Sequence, residues 1–239
     1  MRSIIQIKNL TKKYKIDGRA FKALNDINLK INEGSFTTIV GKSGCGKSTL
    51  LRIIAGLEEA AEGKIIGKKK VKSSLVFQEA RLMPWLTVEE NILFPLKKRD
   101  KKSESVKKVN EHLNLLGLNE FKDAYPNQIS GGMAQRTALG RALVYDSDLI
   151  LMDEPLGSLD AFNRYKLQQE LQHIFSKNNK TVIFVTHDID EAIFLGDRVL
   201  VMEAGSITKE FNLEQEPSIS IKKAKQLELK EKILAEIKA

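Results

Sequence analysis

The most constraining feature of this sequence is a glycine-rich loop at residues 41–48, which matches the pattern G-x-x-x-x-G-K-[ST] at every fixed position. A short apolar run over residues 36–40 leads into the loop, and a helical pattern over residues 49–56 follows it. Between a strand and a helix, glycines let several backbone N–H groups converge on phosphate oxygens, and the helix adds its positive end. The sequence therefore predicts a cradle for nucleotide phosphates in an α/β fold.

Two side chains of this loop carry specific expectations. Lys47 is expected to reach the β- and γ-phosphates, and the Ser48 hydroxyl is expected to bind Mg²⁺. Cys45 lies in the same loop. Because no histidine is close to it in the sequence, we interpret Cys45 as a small loop residue rather than a nucleophile.

Asp153 and Glu154 stand directly after a continuous apolar run over residues 149–152. Such runs are typical of buried parallel strands, whose carboxyl ends carry the ligand sites of α/β folds. Asp153 is expected to hold Mg²⁺ through water, and Glu154 is the candidate general base that orients and deprotonates the attacking water.

Gln78 and His187 each follow another short strand-like run, at residues 74–77 and 182–186. Gln78 can offer its amide oxygen to Mg²⁺ or to the attacking water, and a neutral His187 can donate to a γ-phosphate oxygen. Taken singly, each also fits an ordinary hydrogen-bonded loop residue. We assign both to the site because of the set of residues to which they belong.

Ser130, Gly131 and Gly132 precede a helical pattern over residues 133–144. They present free N–H groups at the start of a helix, and such groups bind anions. The chain thus carries a second candidate phosphate-binding feature.

The order of the patterns predicts how the chain is organised. Residues 4–40 have a β-rich pattern, and a helical, lysine-rich segment over residues 81–146 interrupts an α/β core that resumes at residue 149. This main domain is expected to cover residues 1–212, with residues 213–239 as a C-terminal helical tail docked on the surface. The apolar positions of that tail are Ile221, Ala224, Leu227, Leu234 and Ile237.

Composition limits the compartment and the partners. The chain has 239 residues, of which 42% are apolar, and a formal net charge of +8, as expected for a globular protein that is basic overall. Its lysine runs, at residues 68–70, 97–108 and from 222 onward, lack the interleaved aromatic residues of a nucleic-acid platform, so we expect solvated faces and no nucleic-acid partner. The single cysteine favours a reducing compartment, and no segment approaches the roughly 20 apolar residues that span a bilayer.

In their order and spacing, these motifs resemble the nucleotide-binding subunit of an ABC transporter over nearly the whole chain, from Tyr14 to about Glu210. The resemblance implies an α/β fold with a P-loop NTPase core, an N-terminal antiparallel β-subdomain and an inserted helical subdomain. It also implies ATP hydrolysis in a dimer, in which each ATP lies between the glycine loop of one subunit and the Ser-Gly-Gly turn of the other.

Carried over residue by residue, the resemblance assigns a role to each matching position. Tyr14 would stack on the adenine, Ser158-Leu159-Asp160 would form the D-loop, and His187 would be the switch histidine. The implied ATP-binding residues are Tyr14, Gly41, Lys42, Ser43, Gly44, Cys45, Gly46, Lys47, Ser48, Thr49, Ser130, Gly131, Gly132 and Asp160. The implied catalytic residues are Glu154, His187 and Gln78, and the implied Mg²⁺ ligands are Ser48, Gln78 and Asp153.

Two segments resemble one subgroup of this family, the bacterial importers of nitrate, sulfonates, taurine and similar small anions. One is the signature, which has Met133 in place of the usual Gln besides a conservative Ile129 in place of Leu, and the other is the segment Arg81 to Ile92. The latter lies where the membrane subunit docks in the family, and Trp85 suits such a contact. A buried core position for Trp85 is the alternative.

The resemblance therefore implies a peripheral subunit at the cytoplasmic face of the membrane. Its partners would be a second, identical ATPase subunit, permease subunits that dock near Arg81 to Ile92, and indirectly an extracytoplasmic solute-binding protein. The alternative is a soluble ABC-type ATPase that acts on nucleic acid or ribosomes. Such proteins usually carry coiled-coil or zinc-bearing insertions or two heads in one chain, whereas this chain has a single P-loop pattern and no cysteine cluster.

Overall fold

The computed structural model describes residues 2–16, 18–67, 71–96, 102–157, 159–178, 180–213 and 219–238. Four predicted features fall partly or wholly outside these residues: the lysine run 68–70, the first part of the run 97–108, Ser158 of the expected D-loop, and residues 214–218 and 239 of the predicted tail. In the described part of the chain, no helix has both the length and the apolar character needed to cross a membrane.

The described residues form two β-sheets surrounded by α-helices. The strands are β1 Ser3–Ile16, β2 Arg19–Asn32, β3 Phe36–Val40, β4 Glu62–Ile66, β5 Ser73–Val76, β6 Leu149–Asp153, β7 Thr181–Thr186, β8 Arg198–Glu203 and β9 Ser206–Asn212. The helices are α1 Lys47–Ala55, α2 Val88–Leu93, α3 Lys102–Leu115, α4 Gly131–Val144, α5 Ala161–Asn178, α6 Ile189–Leu195 and α7 Ile219–Lys238. The short 3₁₀ turns are Phe94–Leu96, Asn119–Phe121 and Pro126–Gln128.

The smaller sheet is antiparallel, with the strand order β2-β1-β4. The sequence predicts strands only over residues 4–10 and 27–31. In the structure, β1 continues to Ile16 and β2 begins already at Arg19. Bulges explain the difference, because the β1–β2 register shifts between Ile7 and Leu10 and again near Lys12. A bulge breaks the two-residue alternation by which a strand is recognised in a sequence.

The larger sheet has the order β5-β6-β7-β3-β8-β9 and is parallel except for β9. Its central strands are apolar on both faces. In β6, for example, Ile150 and Met152 belong to one buried cluster and Leu149 and Leu151 to another. The continuous apolar runs of the sequence therefore predict these strands correctly, because both faces of the sheet are covered.

The segment between β5 and β6 is less helical than the sequence predicts. Three helices, α2, α3 and α4, alternate with loops and 3₁₀ turns. Proline accounts for several breaks, since Pro84, Pro95 and Pro126 all lie outside the α-helices. The three helices share a buried apolar cluster with β6, β7 and α5, so they pack on one face of the large sheet. The boundaries 81–146 and 1–212 remain predictions.

The C-terminal helix α7 packs on α6 and β8, as the sequence predicts, and the predicted apolar positions Leu234 and Ile237 belong to its packed face. Ile233 is completely buried, whereas Leu227 is 62% exposed, so assigning Leu227 to the docked face was wrong. Leu229, Ile233 and Ile237 repeat every four residues and define the packed stripe. The side chains of Ile221 and Ala224 lie outside the described residues.

Replacing Ile233 with Ala is expected to weaken the docking of α7 by about 2–5 kcal/mol, because the substitution removes buried methylene groups and leaves a cavity. Amide hydrogen exchange along α7 measures this loss. Leu227→Ala on the same helix is the matched control and should cost no more than about 0.5 kcal/mol. Equal effects of the two substitutions would contradict the packed stripe.

Candidate functional site

The predicted site residues follow the carboxyl ends of four neighbouring parallel strands. The glycine loop follows β3, Gln78 follows β5, Asp153 ends β6 just before Glu154, and His187 follows β7. Since β5, β6, β7 and β3 are adjacent in the sheet, their carboxyl ends share one edge. This edge is where α/β folds bind their ligands.

The glycine loop lies against neighbouring backbone, and its glycines fit because they lack a Cβ atom. A Cβ at Gly41 would lie 2.1 Å from the carbonyl oxygen of Met202. A Cβ at Gly46 would lie 2.4 Å from the Ala23 carbonyl oxygen, and the φ angle of Gly46 is 109°, which side chains disfavour. The loop passes directly into α1, whose first residue is Lys47. Packing of the loop against neighbouring backbone therefore requires glycine at both positions.

Lys47 lies inside this loop. Its side chain is buried, and its Nζ donates hydrogen bonds to the carbonyl oxygens of Gly41 (2.8 Å) and Lys42 (3.1 Å). An ammonium group held by carbonyl oxygens of the glycine loop is placed to meet phosphate oxygens bound there. Cys45 is also buried, and burial is the main reason why the pKa of its thiol is raised. A raised pKa disfavours the thiolate, in agreement with a packing role for Cys45.

Ser48 and Asp153 form the part of the site that suits a hard cation. The Ser48 hydroxyl donates to Oδ1 of Asp153 at 2.8 Å. Burial raises the pKa of Asp153, against the effect of this hydrogen bond. A hydroxyl and a partly withdrawn carboxylate are oxygen ligands of the kind that Mg²⁺ prefers, so the two residues fit that ion. When bound, Mg²⁺ neutralises negative charge on the phosphates.

Glu154 and His187 are joined directly. Oε2 of Glu154 lies 2.9 Å from Nδ1 of His187, and the Glu154 N–H donates to the carbonyl oxygen of Val185 at 2.9 Å. Glu154 has a left-handed backbone with a φ angle of 45°, a conformation that costs a non-glycine residue roughly 1–3 kcal/mol. This strained turn directs the carboxylate toward the histidine.

The Glu154 bond restricts the protonation of His187. A carboxylate only accepts hydrogen bonds, so Nδ1 must carry the proton. The ring can then also donate from Nε2 only as the imidazolium cation. A neutral His187 can therefore keep the Glu154 bond or donate to a phosphate from Nε2, but not both. The neutral phosphate donor that the sequence predicts would thus have to release Glu154.

Ser130 caps α4, where its hydroxyl accepts the N–H of Met133 at 3.3 Å. Its side chain is exposed, and a Cβ on the neighbouring Gly131 would meet no atom within 4 Å. α4 packs chiefly on α2, α3 and β5. Residues 130–132, which we call the Ser130 turn, thus offer an open helix start.

Tyr14 and Asp160 have partners at the margins of the site. The Tyr14 hydroxyl donates to Glu58, and burial followed by this bond raises the pKa of Tyr14. Its hydroxyl also contacts Thr49, so the Tyr14 side chain reaches the end of the glycine loop. Asp160 caps α5, accepting N–H groups of Phe162 and Asn163 at 3.1 and 3.0 Å. The nucleotide contacts of both residues remain predictions.

Several residues that organise this region are not singled out by any sequence pattern. Asn91 is fully buried and bonds to Met83, Leu86 and Thr87. Arg164 donates to the Leu159 carbonyl oxygen at 3.0 Å and lies 3.6 Å from Asp188, next to His187. Gln135 and Arg141 bond to the backbone on either side of Gln78. In the sequence, such residues are marked only as polar positions within helical patterns. This signal does not identify the backbone or side-chain group to which each one is hydrogen-bonded.

Comparison with known proteins places this geometry in a family. A family model described as ABC transporter matches residues 24–157. An aliphatic sulfonates import ATP-binding protein of Bacillus cereus is 47% identical over 206 residues, covering 84% of this chain and 81% of its own length. A taurine import ATP-binding protein of Pelagibacter ubique is 45% identical over 205 residues, covering 82% of this chain and 77% of its own.

A solved structure agrees with these relatives. It is an ATP-binding cassette in a dimeric post-hydrolysis state, bound to ADP and Pi, with a TM-score of 0.80 and 36% identity. The alignment covers 89% of this chain and 100% of that one. With its glycine loop, paired carboxylates and histidine at one sheet edge, the chain belongs to the ABC transporter family, as one of its ATP-binding subunits.

Proposed function

We propose that this chain is the ATP-hydrolysing subunit of an importer for a small organic anion of the sulfonate or taurine type. The observation that carries the enzymatic part is the Glu154–His187 hydrogen bond of 2.9 Å. His187 follows β7, which lies beside β3, the strand that leads into the glycine loop. The hydrogen bond joins a candidate base to a candidate phosphate sensor beside a phosphate cradle. The import part is supported by the similarity to the sulfonate and taurine import proteins.

In this proposal, each side chain of the site has one task. Lys47 exchanges its bonds to the loop carbonyls for phosphate oxygens, and Ser48 and Asp153 supply oxygen ligands for Mg²⁺. Glu154 accepts the proton of the attacking water. His187 holds the carboxylate in place through Nδ1, and it gives up this bond when it donates to the γ-phosphate.

The Ser130 turn provides the reason for a second copy of the chain. It presents an exposed helix start in the same chain as a complete glycine loop. Two copies in a head-to-tail arrangement would each give a glycine loop and receive the other's Ser130 turn. We therefore propose a homodimer that closes on two ATP molecules and opens after hydrolysis.

The segment from Arg81 to Ile92 is proposed as the permease-docking surface. Trp85 is 70% exposed, which rules out the alternative of a core position. Asn91 fixes the loop that carries it, with bonds of 2.9–3.2 Å to backbone atoms of Met83, Leu86 and Thr87. A large aromatic residue on a loop fixed in this way is typical of the anchors that dominate protein interfaces.

Trp85→Ala is expected to weaken assembly with the permease by about 2 kcal/mol or more, corresponding to roughly a 30-fold loss of affinity. Retention of the purified chain on membranes that contain its own permease subunits measures this. Leu57→Ala, which removes another exposed apolar side chain, is the control. Equal retention of Trp85→Ala and the unmodified chain would remove Trp85 from the interface.

The proposal also includes where the chain works and which solute is imported. The chain would work at the cytoplasmic face of the membrane, with a solute-binding protein delivering the anion to the permease on the other side. Uptake of labelled taurine and of a labelled alkanesulfonate, in cells with and without this chain, tests it. ATP-dependent uptake of one of these solutes should disappear and return with the unmodified chain but not with Lys47→Ala. Co-purification with ribosomes or nucleic acid and no membrane partner would contradict the importer.

A further inference from the structure

The loop that carries Gln78 is held at both ends by a single helix. Nε2 of Gln135 donates to the carbonyl oxygen of Phe77 at 3.0 Å. The guanidinium of Arg141 donates to the carbonyl oxygens of Ala80 and Arg81, each at 3.1 Å. Gln135 and Arg141 both lie on α4, and we call residues 77–81 the Gln78 loop. The exposed middle of this loop, Gln78 and Glu79, is thus suspended between two fixed ends.

The loop is also closed on itself. The guanidinium of Arg81 lies over the Phe77 ring, 4.1 Å from its centroid. Arg81 has a left-handed φ angle of 45°, and such a conformation persists only where surrounding contacts determine it. The two hydrogen bonds from Arg141 are the contacts that do so here.

Burial makes these hydrogen bonds worth more than surface contacts. Gln135 is only 2% exposed, and burial lowers the pKa of Arg141, which means that its guanidinium is partly withdrawn from water. Polar groups in such positions are costly unless they are paired. On α4, their partners are the backbone oxygens that flank Gln78, so loss of either side chain removes the hydrogen bonds that hold one end of the loop.

We propose that Gln135 and Arg141 are positioning residues that make the Gln78 loop and the Ser130 turn one rigid unit. α4 is capped by Ser130, and it carries Gln135 about one and a half turns and Arg141 about three turns further along. The inference rests on the proposed function, in which Ser130 contacts ATP held by the other subunit. A shift of α4 toward that ATP would then carry Gln78 with it. Each active site would thereby respond to the nucleotide bound at the other.

Hydrogen exchange and kinetics of the full chain test this clamp. Gln135→Met and Arg141→Met remove the donors while keeping much of the apolar volume. Amide exchange across residues 77–81 should become about tenfold faster or more in both variants. The kcat for MgATP hydrolysis should fall about tenfold in both variants, with KM within about twofold of the value of the unmodified chain. The kcat of Arg141→Lys should lie between those of the unmodified chain and Arg141→Met. Gln172→Met is the matched control, because Gln172 also donates to a backbone carbonyl, that of Phe194 at 3.4 Å.

A double-mutant cycle with Gln78→Ala separates positioning from general stability. If Gln135 acts through Gln78, Gln135→Met should change kcat less than about twofold in the Gln78→Ala background. The same tenfold loss in both backgrounds, or unchanged exchange of residues 77–81, would overturn the inference. Should Arg141→Met fail to fold, Gln135→Met and Arg141→Lys decide. Absence of hydrolysis by the unmodified chain would instead refute the proposed function, and exchange of the loop would still test the clamp.

Discussion

Glu154→Gln is expected to lower kcat for MgATP hydrolysis about 100-fold or more while leaving ATP affinity nearly unchanged. A positioned general base contributes about 10²–10⁴ in rate, and a Gln side chain of the same shape cannot accept the proton. In the unmodified chain, Nδ1 of His187 lies 2.9 Å from Oε2 of Glu154, and the amide of Gln can still pair with this nitrogen. The local structure should therefore survive. Single-turnover hydrolysis and equilibrium nucleotide binding separate the two effects.

Glu120→Gln is the control for this substitution, because Glu120 is an exposed carboxylate in a 3₁₀ turn away from the sheet edge. It should leave both quantities unchanged. An unaltered hydrolysis rate in Glu154→Gln would remove Glu154 as the base, whereas a parallel loss of ATP binding would point to a structural role for its strained turn.

Lys47→Ala should act earlier in the cycle, on binding itself. A charge-assisted hydrogen bond is worth about 1.5–3 kcal/mol, so its loss should weaken MgATP binding roughly 10- to 150-fold. Lys47 is the buried cation whose Nζ already lies among the loop carbonyls, and no rearrangement of the backbone is needed for it to reach a ligand there. Isothermal titration with MgATP gives the dissociation constant directly.

Lys209→Ala serves as the control for Lys47→Ala, since Lys209 is an exposed lysine of β9. The thermal melting temperatures of both variants should be measured before their MgATP affinities are compared, because Lys47→Ala also removes two hydrogen bonds within the loop. Normal MgATP affinity in a folded Lys47→Ala variant would show that the loop does not hold the phosphates.

Local patterns were sufficient to predict the strands and the helix that carry the centre of the candidate site. The strand–glycine loop–helix sequence is contiguous, so β3, the loop and α1 were predictable to within about two residues. The apolar run before Asp153 placed both carboxylates at a strand end, because a strand buried on both faces leaves a clear composition signal. The pairing of Glu154 with His187 needed the sheet order, which brings β6 beside β7.

Features that depend on tertiary contacts were not predictable from one sequence. Helix α6 is short, and only its Asp188 cap and apolar spacing mark it. On α7, Leu227 was assigned to the docked face incorrectly and Ile233 was missed, because several apolar stripes are possible on a helix of that composition and the surface of α6 and β8 selects the one through Ile233. The roles of Asn91, Gln135 and Arg141 follow only from the backbone oxygens opposite them.

The central claim is that the glycine loop of one subunit and the Ser130 turn of another form one ATP site. Light scattering of the Glu154→Gln variant with and without MgATP measures this most directly, with Glu154→Gln/Ser130→Arg as the companion. We predict that MgATP doubles the mass of the first variant, and that the second binds MgATP but keeps the mass of a single chain. A single-chain mass for Glu154→Gln at saturating MgATP, or an ATP-dependent dimer that tolerates Ser130→Arg, would contradict the account.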